Sequence, residues 1–289
     1  MGESAHNTEL QEKIINELRD ALDSEQLVLP SLPDVAVKIR EAIEDEDNGA
    51  REIAQVINMD PAITAKIIKT ANSALYLRGK PVQDSLTAYS RLGAKTIAQL
   101  VTTYAVKEVF KAESPVLKQR MMDLWKHSLD IAAISFVLSS MTPGTEPSQT
   151  MLAALLHDIG VIAILNNISH HDEILNDAES LEGLIENMRS ELGSAILKKW
   201  DFAPDLIYVA ENSEDWLRDH EEKADMVDVI NMAHLHSYIG TPKQKTVPRI
   251  DTVPAFKKMA LGELTPTLSL DILEESAEQV QQVRKLLNM

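Results

Sequence analysis

Three histidines lie inside or beside apolar runs: His127 in LWKHSLDIAAI, His157 in AALLHDIGVIAIL and His234 in VINMAHLHSYI. His6, His170, His171 and His220 stand in polar settings and read as surface residues. His157 is followed at once by Asp158 and then Ile159-Gly160. A His-Asp doublet at a helix end can give a metal one imidazole nitrogen and one carboxylate oxygen. His127, about thirty residues upstream, could add a second imidazole. Such a donor set suits one divalent metal: zinc, iron, manganese or nickel. A cation held there could bind an anionic phosphate and activate a water against it. The same residues could instead form a buried hydrogen-bonded cluster that keeps helices in register.

These side chains need a helical frame, and the composition provides one. Apolar residues make up 44% of the 289-residue chain, enough for a substantial core, while aromatics are only 4%. The core must therefore be mostly Leu, Ile, Val, Ala and Met, with the methionines as gap fillers. Helical periodicity runs through nearly the whole chain. Leu10, Ile14, Leu18 and Leu22 share one face. Asp34 can cap a helix that buries Val35, Ile39 and Ile43. Ile53, Val56 and Ile57 mark a short helix, and Asp60-Pro61 is a cap followed by Pro at the first helical position. Residues 115–140 read as one long helix, and 141–150 as the clearest loop. Further helices are expected over roughly 150–166, 180–190, 192–200, 204–217 and 224–238. Trp125, Trp200 and Trp216 fall at core spacing. A last amphipathic helix, 268–287, places Leu273, Ala277, Val280 and Leu287 on one face, for docking on its own domain or in a homodimer. No period-2 strand pattern is visible, so the fold class is all-α.

Composition also removes function classes. With no Cys, thiol catalysis, disulfides and cysteine metal sites are excluded. The absence of cysteine fits a reducing cytoplasm, the N-terminus is polar rather than a secretory signal, and no apolar run approaches a membrane span. No GxG occurs, so neither a P-loop nor a dinucleotide fingerprint is present. The net charge of −17 opposes general nucleic-acid binding. Charge is uneven: residues 1–60 carry 5 basic and 15 acidic groups, 61–111 carry 8 and 2, and 169–231 carry 5 and 17. The basic stretch could receive an anionic ligand or acidic partner, or simply solvate helix backs.

LLHDIG with the upstream His127 resembles the HD superfamily of metal-dependent phosphohydrolases. LPSLPDVAVKIREAI, REIAQVINMDPAITAKIIKTANSALY and LTAYSRLGAKTIAQLV narrow the resemblance to the HDOD domain, the HD-related output domain of bacterial signalling proteins. It covers residues 28 to roughly 240, with an N-terminal helix over 1–27, helical halves over 28–113 and 114–240, and a connector with a C-terminal helix over 241–289. The resemblance implies an all-helical, mostly cytoplasmic bacterial module. Its role would be signal transduction, through a signalling protein partner or a small nucleotide or phosphate ligand, without catalysis. The alternative is a phosphohydrolase with a mononuclear site, in which Asp158 also orients water.

Carried over residue by residue, His127, His157 and Asp158 match the first three positions of the H…HD…D pattern, and His234 stands where catalytic relatives have Asp. Arg189, in RSELG, replaces a His of related HD-type domains, and Ser213-Glu214 replaces a His pair. An inward Arg189 could neutralise Asp158 without a metal. Asn72, Ser73 and Tyr76 in ANSALY match a recurring HDOD feature, read either as helix termination or as a binding surface.

Overall fold

The computed structural model describes residues 2–112, 114–220, 222–259 and 276–288. Leu273 and the expected helix start at 268 fall outside these. Helices account for the regular structure, and no strand occurs among the described residues, as the sequence predicts. They are α1 (Gly2–Asp23), α2 (Asp34–Glu44), α3 (Ala50–Asn58), α4 (Pro61–Ala71), α5 (Ser85–Leu92), α6 (Ala94–Val106), α7 (Pro115–Ser140) and α8 (Pro147–Leu156). After these come α9 (Ile159–Asn167), α10 (Asp172–Asn176), α11 (Ala178–Lys199), α12 (Pro204–Asn212), α13 (Met226–Ser237), α14 (Pro254–Lys258) and α15 (Ala277–Leu287).

The chain divides into two compact units, one of residues 1–31, 110–124 and 156–213, the other of 32–109, 125–155 and 214–289. In the first unit α11 is the hub, packing on α9, α12, α1 and α10. Its apolar stripe, Leu184, Met188, Leu192 and Ile196, is fully buried. Trp200 closes the helix end and donates its indole N–H to the Pro30 carbonyl at 2.9 Å. In the second unit α2 to α6 pack on one another around Ile39, Ile57, Ile67 and Ile97. Asp60 caps α4 by accepting from the backbone N–H of Ala62 and Ile63, with Pro61 at the first helical position.

Several expectations change. Asp34 lies inside the first turn of α2 and makes no cap, because Pro33 holds the cap position; the helix buries Ala36, Ile39 and Ala42. The expected break before residue 192 is absent: α11 runs unbroken through Gly193, where an added Cβ would meet only ordinary contacts. Conversely, the helix expected over 150–166 is interrupted at His157-Asp158. The span Pro147–Asn167 is apolar enough by composition to cross a membrane, contrary to expectation, but 94% of its 18-residue window is buried inside the fold. Core helices pass that test as readily as membrane spans. Met59, Met122 and Met141 are exposed rather than gap-filling. Trp216 is only half-buried. The C-terminal helix α15 buries Val280, Val283, Leu286 and Leu287. Arg284 of α15 holds Asp130 of α7 at 2.8 Å, and Lys107 donates to the Asn288 carbonyl at 3.3 Å.

Candidate functional site

In the first unit the site grows from one glycine. A Cβ on Gly160 would lie 2.0 Å from the Arg189 carbonyl oxygen and 2.7 Å from the Gly193 nitrogen. Only a residue without Cβ lets α9 and α11 approach this closely. The crossing sets the Arg189 backbone beside the start of α9, two residues after Asp158. The Arg189 guanidinium then reaches Asp158, Nη1 to Oδ1 at 3.1 Å, while Nη2 donates to the Ser213 carbonyl at 3.2 Å. The other carboxylate oxygen lies 3.0 Å from His157 Nε2. His157 and Asp158 are buried at 1% and 7% exposure, so this is a desolvated ion pair rather than a surface one. Arg189 thus points inward onto Asp158, an arrangement that the sequence left open.

In the second unit His127 of α7 and His234 of α13 face each other with ring centroids 5.2 Å apart. Tyr238 stacks parallel to His127 at 6.3 Å, and Trp216 meets His234 edge-on at 6.1 Å. His234 is fully buried. The Tyr238 hydroxyl lies 3.2 Å from His234 Nδ1 and donates to Glu214 Oε1 at 2.9 Å. Glu214 Oε1 is itself 3.6 Å from Nδ1. Glu214 adopts the left-handed backbone region, φ +67°. Asn231 holds it there, accepting from the Glu214 N–H at 2.8 Å and donating to the Asp215 carbonyl at 3.1 Å.

The start of α13 is fixed by charge. Asp225 and Asp228 form a reciprocal capping box, and Arg218 pairs with both carboxylates. Lys258 adds an ammonium 3.8 Å from Asp228. Burial, then the neighbouring Asp225, push the Asp228 carboxyl up; Lys258 and Arg218 oppose them.

Asn72, Ser73 and Tyr76 have other partners. Asn72 ends α4 and pairs its amide with both backbone groups of Val82, each at 2.8 Å. The Ser73 hydroxyl donates to the Thr70 carbonyl. Tyr76 bonds Ser148 at 2.9 Å, and burial pushes its phenol up to about 12. Their hydrogen bonds serve chain termination and packing. Sequence reasoning did not single out Tyr238, Asn231 or His236 and saw Glu214 only as a replaced histidine. One signal was available: Asn231, His234 and Tyr238 recur at helical spacing on one face of α13.

Within the second unit, the facing His127 and His234 can each offer a ring nitrogen to a metal ion. Neutral imidazoles suit a borderline divalent cation.

Residues 29–216 match the HDOD domain family, and the chain belongs to it. A structure from Shewanella amazonensis SB2B, named a presumptive metal-dependent phosphohydrolase, is 27% identical with a TM-score of 0.81, covering 96% of this chain and 99% of that one. An HDOD domain protein of unknown function from Geobacter sulfurreducens is 20% identical with a TM-score of 0.64, covering 97% and 98%. A presumptive signal transduction protein from Marinobacter aquaeolei VT8 is 17% identical with a TM-score of 0.61, covering 99% of this chain and 66% of that one. An uncharacterized protein from Treponema pallidum (strain Nichols) is 21% identical over a 243-residue alignment that covers 77% of this chain and 44% of that protein's length.

Proposed function

We propose that this chain is a regulatory HDOD module, working in a bacterial cytoplasm, that relays a signal by binding a protein or small ligand and catalyses no hydrolysis. The observation that carries this reading is the Arg189 guanidinium on Asp158 at 3.1 Å. In catalytic HD proteins that carboxylate serves the metal and its water. Here a permanent organic cation takes one of its oxygens, and an arginine cannot give up its charge. Arg189 would repel a second positive centre placed on the same carboxylate. In this reading His127 and His234, which face each other in the second unit, are imidazole ligands for one divalent ion, and Arg189 occupies Asp158 in the first. Such an ion would supply positive charge to hold an anionic phosphate or carboxylate. The donor chemistry suits it, and the chain's own residues bind and orient: Arg189 fixes Asp158, and Glu214 with Tyr238 fixes His234.

The second reading, a mononuclear phosphohydrolase, is favoured by the name of the Shewanella relative, at 27% identity. Elemental analysis of protein purified without chelator, beside hydrolysis assays on p-nitrophenyl phosphate, its diester and nucleotides, separates the two. The regulatory reading expects no metal-dependent turnover. Turnover that disappears in His157→Ala would establish the enzyme instead. The double variant Arg189→His with His234→Asp restores the residues of catalytic relatives and is expected to raise the metal content. Unchanged content would remove Arg189 as the reason for lost chemistry.

A further inference from the structure

We propose that Glu214 and Tyr238 are positioning residues that lock His234 in the Nδ1–H tautomer, leaving Nε2 as its lone-pair atom. A carboxylate can only accept. The Tyr238 hydroxyl, 2.9 Å from Glu214 Oε1, must therefore donate to it. Having spent its single proton, the phenol oxygen can only accept from the other side. The atom there is His234 Nδ1, at 3.2 Å. Nδ1 therefore carries the ring proton, and in the neutral imidazole Nε2 does not. Glu214 Oε1 at 3.6 Å from Nδ1 reinforces the same polarity.

The backbone shows what holds the carboxylate there. A non-glycine residue at φ +67° is strained and persists only when its surroundings fix it. Asn231, 3% exposed, clamps both sides of the turn. It lies one helical turn before His234, and Tyr238 lies one turn after, so one face of α13 carries the clamp, the imidazole and the phenol. Ligating histidines in metal sites are commonly oriented by such an acceptor on the far ring nitrogen. The consequence for metal binding rests on the proposed ligand set above; the tautomer assignment does not.

The test reads the two separately. Long-range ¹H–¹⁵N spectra of metal-free, full-length protein are expected to show His234 with a protonated Nδ1 and an unprotonated Nε2. Glu214→Ala and Tyr238→Phe should each shift that ring toward a mixture of tautomers, while Glu214→Gln, which keeps an acceptor, should retain the original pattern. Zinc affinity by chelator competition should fall about 10- to 100-fold in Glu214→Ala and less in Glu214→Gln. Circular dichroism checks folding, and Tyr238→Phe serves if Glu214→Ala does not fold. A wild-type ring protonated on Nε2, or a pattern unmoved in both relay variants, would overturn the proposal. The expected tautomer in a protein that binds no zinc would uphold it and sink only the metal reading.

Discussion

At the residue scale, His236 shows how a polar side chain can be structurally costly without touching the candidate site. It is 7% exposed, and neither ring nitrogen has a hydrogen-bond partner among the described residues. Burial lowers its pKa from 6.5 to about 4. Because the folded value is depressed, the unfolded chain binds more protons between these limits. Stability from the neutral ring is therefore full above about pH 6.5 and is lost as pH falls toward 4. Denaturant titrations at pH 7 and pH 4.5 should show His236→Leu losing less stability on acidification than the parent, by on the order of 2 kcal/mol. Equal losses in both would place the acid sensitivity elsewhere. Arg189→Met leaves the buried Asp158 carboxylate without its guanidinium and is expected to cost about 3 kcal/mol in the same titration at pH 7. The histidines and Asp158 were legible because charged and imidazole groups stand out in apolar helices. Glu214 was not, since its role depends on a turn that brings a surface-type residue back onto α13.

Elements were legible wherever periodicity or a proline marked them. The bounds of α7 were read correctly from Pro115 and the apolar repeat, and Asp60-Pro61 from cap chemistry. Asp60→Ala should lower stability by about 1 kcal/mol, measured by thermal or urea unfolding. The break expected before residue 192 does not occur, because α11 carries its buried stripe, Leu184, Met188, Leu192 and Ile196, straight through that point. Gly193 in α11 has room for a Cβ, which would meet Ala210 Cβ at an ordinary 3.5 Å. Gly193→Ala is expected to be neutral or mildly stabilising through helix propensity. Gly160→Ala must push the backbones of α9 and α11 apart and should cost about 3 kcal/mol or more. Comparable melting temperatures for the two variants would refute the assigned crossing. The interruption between α8 and α9 was hidden because continuous apolar residues on both sides imitate one helix.

For the whole molecule, composition and periodicity announced an all-helical chain, and ordered motifs announced the family. The division into two units was not legible, because each is assembled from three separated stretches of sequence. The C-terminal helix α15 lies on the chain's own second unit, with four apolar side chains buried. A chain ending at Glu275 should lose on the order of 3 kcal/mol of stability, after the entropy of ordering is set against burial. Its light-scattering mass should otherwise change only by the residues removed; a drop from dimer to monomer would assign the helix to self-association instead. The Asn72–Val82 pairing has a consequence for proteolysis. It joins the two stems of a surface excursion whose tip, Leu77 to Pro81, is exposed, and Arg91 braces it through the Ala71 carbonyl at 2.9 Å. Trypsin should nick after Arg78, while Lys80 is shielded by the following proline. The cut ends remain bound to one another by side-chain amide contacts, so the nicked chain should still elute as one species and separate only in denaturant.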